Sequence, residues 1–285
     1  MKEKTKFPSN IFQSFLALLI MYGVLALSVF LFSTFNRFIK SEILFIVVQI
    51  FALLLIILIF TKFINKESLN LKRKKINCIY FLLLLASSFF LQLGIAFPIY
   101  LYFSPLSDVT ISHNLLPSFS ILLSSLILAP ILEEIIFRRI IFKNLLAKNS
   151  VFFALCVSSS LFALLHLNYK SIVSLLILGF YLGWIYFKSD NLFIVILLHI
   201  SYNFSSFLIS FLRQDNLIDI NNKHLIYGKY TIGIILVSII IFFAFIKKMN
   251  RLNINNEIID TKEFSYSNQP YNFTYKKFIK LNPIS

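Results

Sequence analysis

Apolar residues run along this chain in blocks of about 18–25, set apart by short basic or polar stretches. The blocks predict helices at roughly 11–35, 42–64, 77–103, 115–142, 150–168, 171–187, 191–212 and 230–246. Blocks of this length can cross a hydrocarbon core ~30 Å thick. A soluble protein would interrupt them with polar helix faces. The fold class that follows is all-α, a polytopic membrane helix bundle of about eight transmembrane helices. The first block is long and lacks a small-residue cleavage site, so it reads as a retained helix. Pro98 lies near the end of the third block, and Pro130 in the fourth is placed to kink its helix. After Met249 the chain is polar and rich in Asn, a tail without apolar periodicity. No internal repeat is evident.

Composition agrees. Of 285 residues, 58% are hydrophobic and only 14% charged, where a soluble domain carries roughly 25% charged residues. The net charge of +15 would suit nucleic acid, but the Lys and Arg lie between apolar blocks, where they orient the protein and meet anionic headgroups. The partner implied is the lipid bilayer, not nucleic acid. With the N-terminus cytoplasmic, 21 of the 27 Lys and Arg fall on the inside. That asymmetry predicts an even number of spans, both termini and the tail in the cytoplasm, and a multi-pass protein of the cell membrane. Cys78 and Cys156 sit inside apolar blocks with no metal-ligand spacing and read as small buried residues.

Ionisable residues deep in a membrane cost about 2.5–3.5 kcal/mol each and are functional suspects. Ten of the twelve acidic residues lie in loops, tails or span edges. The other two are adjacent, Glu133 and Glu134; His113 and His224 lie in loops, whereas His166 and His199 lie in or at the end of apolar spans. Glu134 and Arg138 are four apart and can pair on one helix face; His199 and Asn203 repeat the spacing, as do Phe162 and His166, which sets an aromatic ring beside the imidazole. Glu133 lies ten residues from Lys143 and His199 about ten from the turn at Ser189–Asp190, so each reaches ~15 Å into the membrane. Spans four and five turn near Asn149–Ser150, which sets Glu133 and His166 level; counted from Lys148, His166 falls nearer the outer side.

A carboxylate beside an imidazole can hold and deprotonate a water. A second imidazole and an amide on one helix face can donate to an oxyanion. No Ser or Cys stands out as a nucleophile, so the chemistry read directly is hydrolysis by activated water, most naturally of a peptide bond. Glu133, His166 and His199 also form a two-His, one-carboxylate set of the kind that holds catalytic Zn2+. No H-E-x-x-H spacing accompanies it. Water activation with Zn2+ or another divalent metal, and without any metal, both stay open.

The segment Glu133-Glu134-x-x-x-Arg138, then Phe162-x-x-x-His166, then His199-x-x-x-Asn203, resembles the three motifs of the CAAX-protease and bacteriocin-processing family (CPBP or Abi) over roughly residues 115–207. Gly179, Gly183 and Asn191-Leu192 agree with it. Arg139 stands where members often have Gly, Val195 where a Pro is common and Asp190 where a Gly is common. The resemblance implies an intramembrane endopeptidase with Glu133 as general base, His166 sharing the water, His199 and Asn203 as the oxyanion site, and Glu134, Arg138 and Phe162 in support. With the apolar blocks on either side, the chain divides into N-terminal helices (1–110), a catalytic core that the resemblance implies (111–212), a last helix with its preceding loop (213–249) and the tail (250–285).

The excess of Ile, Phe, Asn and Lys points to an AT-rich bacterial genome, where the family is linked with bacteriocin immunity and peptide maturation. The expected partner is a small membrane-associated peptide or protein substrate. Two other readings compete: a non-catalytic immunity factor or scaffold of the same fold, and a proton-coupled transporter. Retention of every motif residue weighs against the first, and the lack of inverted repeats against the second.

Overall fold

The computed structural model describes residues 7–36, 42–64, 78–103, 118–214 and 231–254. Among these the regular structure is entirely helical. The helices are α1 (Ile11–Asn36), α2 (Glu42–Leu58, continued by a π-turn over Ile59–Ile64), α3 (Cys78–Phe103), α4 (Phe119–Leu146), α5 (Val151–Leu165), α6 (Ile172–Ser189), α7 (Leu192–Gln214) and α8 (Thr231–Ile254). The loop Ser104–Asn114, His113, His224, the basic stretch at 66–75 and the tail after 254 lie outside the described residues.

Seven of these helices are long and apolar enough to cross a membrane, and the chain is a multi-pass membrane protein. The fifth expected span differs. Helix α5 has 15 residues, about 22 Å at 1.5 Å per residue and short of a hydrocarbon core. His166 is the C-terminal cap of α5, and its Nε2 lies 3.9 Å from Glu133 Oε2, so the two residues are level, as the count from the Asn149–Ser150 turn has it.

Helix α4 organises the bundle. It packs on α2 through its first half, on α7 chiefly along its middle, and on α5 and α6 through its second half. Helices α5 and α6 form a tight antiparallel hairpin; α3 bridges α6, α7 and α8, and α1 packs on α2. The buried centre holds Ile136, Phe137, Phe162, Leu182, Val195 and Leu198. Large apolar side chains such as Phe12, Phe30, Ile43, Phe119 and Ile232 face outward. So broad an apolar exterior suits lipid and not water.

Small residues set the closest approaches. A Cβ on Gly179 would lie 3.1 Å from Ser159 Cα, and one on Gly183 would lie 2.8 Å from Leu155 Cδ2, so both glycines bring α6 against α5. A Cβ on Gly94 would lie 2.5 Å from Ser238 Cβ, which locks α3 to α8. Asp190 ends α6 in the left-handed conformation, φ 46° and ψ 35°. That geometry favours glycine and, after it, Asn or Asp.

Both prolines inside the long helices are preceded by π-turns, Gln92–Ala96 before Pro98 and Ser124–Leu128 before Pro130. A proline has no N–H to give to the preceding turn, and a local change of register redistributes the freed carbonyls. Before Pro130 the amide of Ala129 donates to Ser124 O. In that register the partner of Ser125 O would be the nitrogen of Pro130, so this carbonyl has no donor within its own helix.

Candidate active site

Three helices carry the ionisable cluster. Helix α4 supplies Glu133, Glu134 and Arg138, the end of α5 supplies Phe162 and His166, and α7 supplies His199 and Asn203. The short α5 places the cap residue His166 beside the middle of α4.

The cluster has two layers. The inner one is sealed: Glu134 and Arg138 are fully buried and His199 is 2% exposed. Arg138 Nε donates to Glu134 Oε2 at 2.8 Å, and His199 Nδ1 lies 2.9 Å from Glu134 Oε1. One carboxylate therefore serves both cations, or one cation and one neutral imidazole. Ser158 Oγ accepts from Arg138 Nη1 at 3.2 Å and donates to Phe137 O at 3.1 Å. Arg138 Nη2 has no hydrogen-bond partner among the described residues. The outer layer is more accessible, with Glu133 14% and His166 31% exposed at their side chains.

Phe162 joins the layers. Its buried ring lies 5.1 Å from the His166 ring, 5.6 Å from that of His199 and 5.4 Å from the Arg138 guanidinium carbon. It has the aromatic face that a cation prefers.

The hydrogen bonds assign the imidazole tautomers. His166 Nδ1 lies 3.0 Å from the carbonyl of Phe162. A carbonyl only accepts, so Nδ1 carries a proton and Nε2 of the neutral ring is a lone pair. The same logic holds for His199, whose Nδ1 faces the Glu134 carboxylate. Both Nε2 atoms turn toward Glu133 Oε2, at 3.9 Å for His166 and 3.7 Å for His199. Those gaps are too long for direct hydrogen bonds and suit a bridging water.

The donor types also suit zinc, but their placement does not close on one. Ligand atoms sharing a tetrahedral zinc lie ~3.3 Å apart, closer than either Nε2–Oε2 distance. Among the described residues no group of three or more His, Cys, Asp or Glu is arranged to hold a metal ion.

Asn203 follows His199 by one turn of α7. Its Nδ2 donates to Ser125 O at 3.1 Å, the carbonyl that Pro130 leaves without a helical donor. One of the two amide N–H groups stays available.

Two residues near the cluster escaped the sequence reading. Ser158 lies in a run of three serines, Ser158-Ser159-Ser160, a polar mark in an apolar span that could have been noticed. Tyr22 of α1 carries no local signal. Its hydroxyl donates to the carbonyl of Leu165, one residue before His166, so α1 grips the end of the helix that presents this imidazole.

Comparison with known proteins agrees with the three motifs. Residues 115–205 match the family described as type II CAAX prenyl endopeptidase Rce1-like. The match bears out the CAAX-protease resemblance and supports protease activity of the CAAX intramembrane type in general. No curated protein and no solved structure gives a significant match.

Proposed function

We propose that this chain, with a CAAX-endopeptidase-like segment at 115–205, hydrolyses a peptide bond of a small membrane-associated peptide or protein through a water activated by Glu133 and His166. The observation that carries the reading is the division of labour in the cluster. An accessible carboxylate and an imidazole lone pair stand 3.9 Å apart, backed by the sealed Arg138–Glu134–His199 chain.

A water about 2.8 Å from both Glu133 Oε2 and His166 Nε2 would bridge them at an angle of roughly 90°, with a lone pair left for the carbonyl carbon. Glu133 takes one water proton as the oxygen attacks. His199 in its imidazolium form has Nδ1–H on Glu134 and Nε2–H free for the oxyanion, and the second N–H of Asn203 is its partner there. Glu133 then passes its proton to the departing amine, which leaves a carboxylic acid and a free N-terminus. Charge supports the scheme. Two carboxylates, Arg138 and one imidazolium sum to zero, and so do a protonated Glu133 and a neutral His199 beside the Glu134–Arg138 pair. One proton can therefore move inside the cluster without leaving net buried charge. The biological setting we favour is bacteriocin immunity or peptide maturation.

The test is proteolysis by purified protein in detergent against a panel of membrane-associated peptides. Glu133→Gln and His166→Ala run beside the parent, each with and without chelator. Loss of a general base lowers kcat by about 10²–10⁴-fold, so both variants are expected to fall in that range, and chelator is expected to change nothing. Equal cleavage by Glu133→Gln would remove the mechanism. A cellular phenotype that persists in Glu133→Gln would favour the scaffold reading.

A further inference from the structure

A cavity of about 280 Å³ opens between α1, α2 and α4 and reaches Glu133. Its walls are apolar, with Met21, Leu25, Leu53, Leu128, Leu132 and Leu165 among them. Polar groups occur in only two places. One is Glu133. The other is a group of three side chains, Ser28 of α1, Gln49 of α2 and Ser124 of α4.

These three lie away from Glu133 along the cleft. Ser120 N donates to Glu42 Oε2 at 3.4 Å, which aligns the starts of α2 and α4. By helix rise Gln49 lies ~10 Å along from Glu42, Ser124 ~6 Å from Ser120, and Ser28 ~12 Å from the end of antiparallel α1 at Asn36. Glu133 lies ~20 Å from Ser120, so ~9 Å of apolar cleft separates it from Gln49.

Ser28 spends its proton on Leu25 O, 2.7 Å away in its own helix. Gln49 and Ser124 are only partly buried and make no side-chain hydrogen bond to any described residue. A primary amide without a partner among the described residues, within a stretch otherwise all apolar from Ile43 to Phe60, carries a desolvation cost that a leucine would avoid. An acceptor oxygen and two N–H donors are the complement of a peptide unit.

We infer that the α1/α2/α4 cleft is a substrate subsite that takes an extended peptide backbone, and that Gln49 hydrogen-bonds one of its peptide units. At ~3.3 Å per residue, the ~9 Å span sets that unit two to three residues from the bond presented to Glu133. Apolar side chains of the bound segment fill the walls between. This inference rests on the endopeptidase reading for what is bound, but its test does not depend on cleavage.

The probe is a dansylated, uniformly apolar hexapeptide titrated into purified Glu133→Gln protein in detergent, where binding is read without turnover. A second set of peptides replaces each backbone amide in turn by an ester, which deletes one N–H. Adding Gln49→Leu to the same background is expected to weaken binding about 5–10-fold, the size of one net hydrogen bond. It raises local apolarity, so it should not impair insertion. One ester position should weaken binding to the Gln49 protein and make no difference to Gln49→Leu. Equal affinity of the two proteins for the amide peptide overturns the subsite, as does a hexapeptide that fails to bind either. Binding that depends on Gln49 while the parent cleaves nothing would leave the subsite standing and remove the endopeptidase reading. Cleavage indifferent to Gln49→Leu would do the reverse.

Discussion

At the scale of single residues, Glu134 and Glu133 are neighbours in sequence with opposite demands on them. Glu134 is sealed between Arg138 and His199, and losing it strands a buried guanidinium. Glu134→Ala is expected to lower stability by about 3–5 kcal/mol, the usual cost of breaking a buried pair from one side. Replacing the pair together, as Glu134→Leu with Arg138→Met, should recover most of that stability and still leave the protein inactive, because His199 loses its acceptor. Thermal unfolding with an activity assay on the same samples separates the two effects. Full activity in the double variant would refute the role given to Glu134. Tyr22 acts at one remove from the chemistry. Tyr22→Phe deletes the hydroxyl held by Leu165 O, and about 1 kcal/mol of lost positioning should appear as a roughly fivefold fall in kcat with KM little changed. An unchanged kcat would reduce Tyr22 to a packing residue.

At the scale of elements, the site depends on where helices stop and how closely they pass. Helix α5 ends at Leu165, and its cap residue His166 lies opposite Glu133. The π-turn before Pro130 frees the carbonyl that holds Asn203. The glycine contacts carry a graded prediction. Gly94→Ala drives a Cβ to 2.5 Å from that of Ser238, and Gly179→Ala sets one 3.1 Å from the Ser159 backbone, whereas Gly183→Ala meets the mobile tip of Leu155. Overpacking of this kind costs about 1–3 kcal/mol. Unfolding midpoints in detergent should fall most for Gly94→Ala and least for Gly183→Ala. The reverse order would mean that α3 and α8 adjust more freely than α5 and α6.

For the whole molecule, helices outside the matched segment complete the site. Helix α1 anchors the end of α5 through Tyr22, and α1 with α2 walls the cleft that ends at Glu133. Orientation belongs to this scale too. If all eight helices pass from side to side and the N-terminus is cytoplasmic, 21 of the 27 Lys and Arg fall inside, and the positive-inside rule then predicts both termini in the cytoplasm. A phosphatase reporter should be silent when fused after Lys248 and active when inserted near Asn36. Activity at the first position would invert the arrangement.

The sequence by itself determined what local composition can fix. Blocks of apolar residues leave a helix as the only way to satisfy backbone hydrogen bonds in lipid, so the all-α bundle and most helix bounds were readable from hydropathy. Spacing of four along a helix fixed the Glu134–Arg138 pair and the Phe162–His166 contact, because both partners share one element. Contacts between elements were another matter. No spacing relates His199 to Glu134, Asn203 to Ser125 or Tyr22 to Leu165; the separations are 65, 78 and 143 residues. The apolar run ends with α5 at Leu165, but hydropathy could not show that this end meets Glu133. Which of two adjacent glutamates is sealed and which meets the cleft depends on the rotation of α4 against its neighbours. That rotation is set by packing of side chains from several helices at once, so only the tertiary structure decided it.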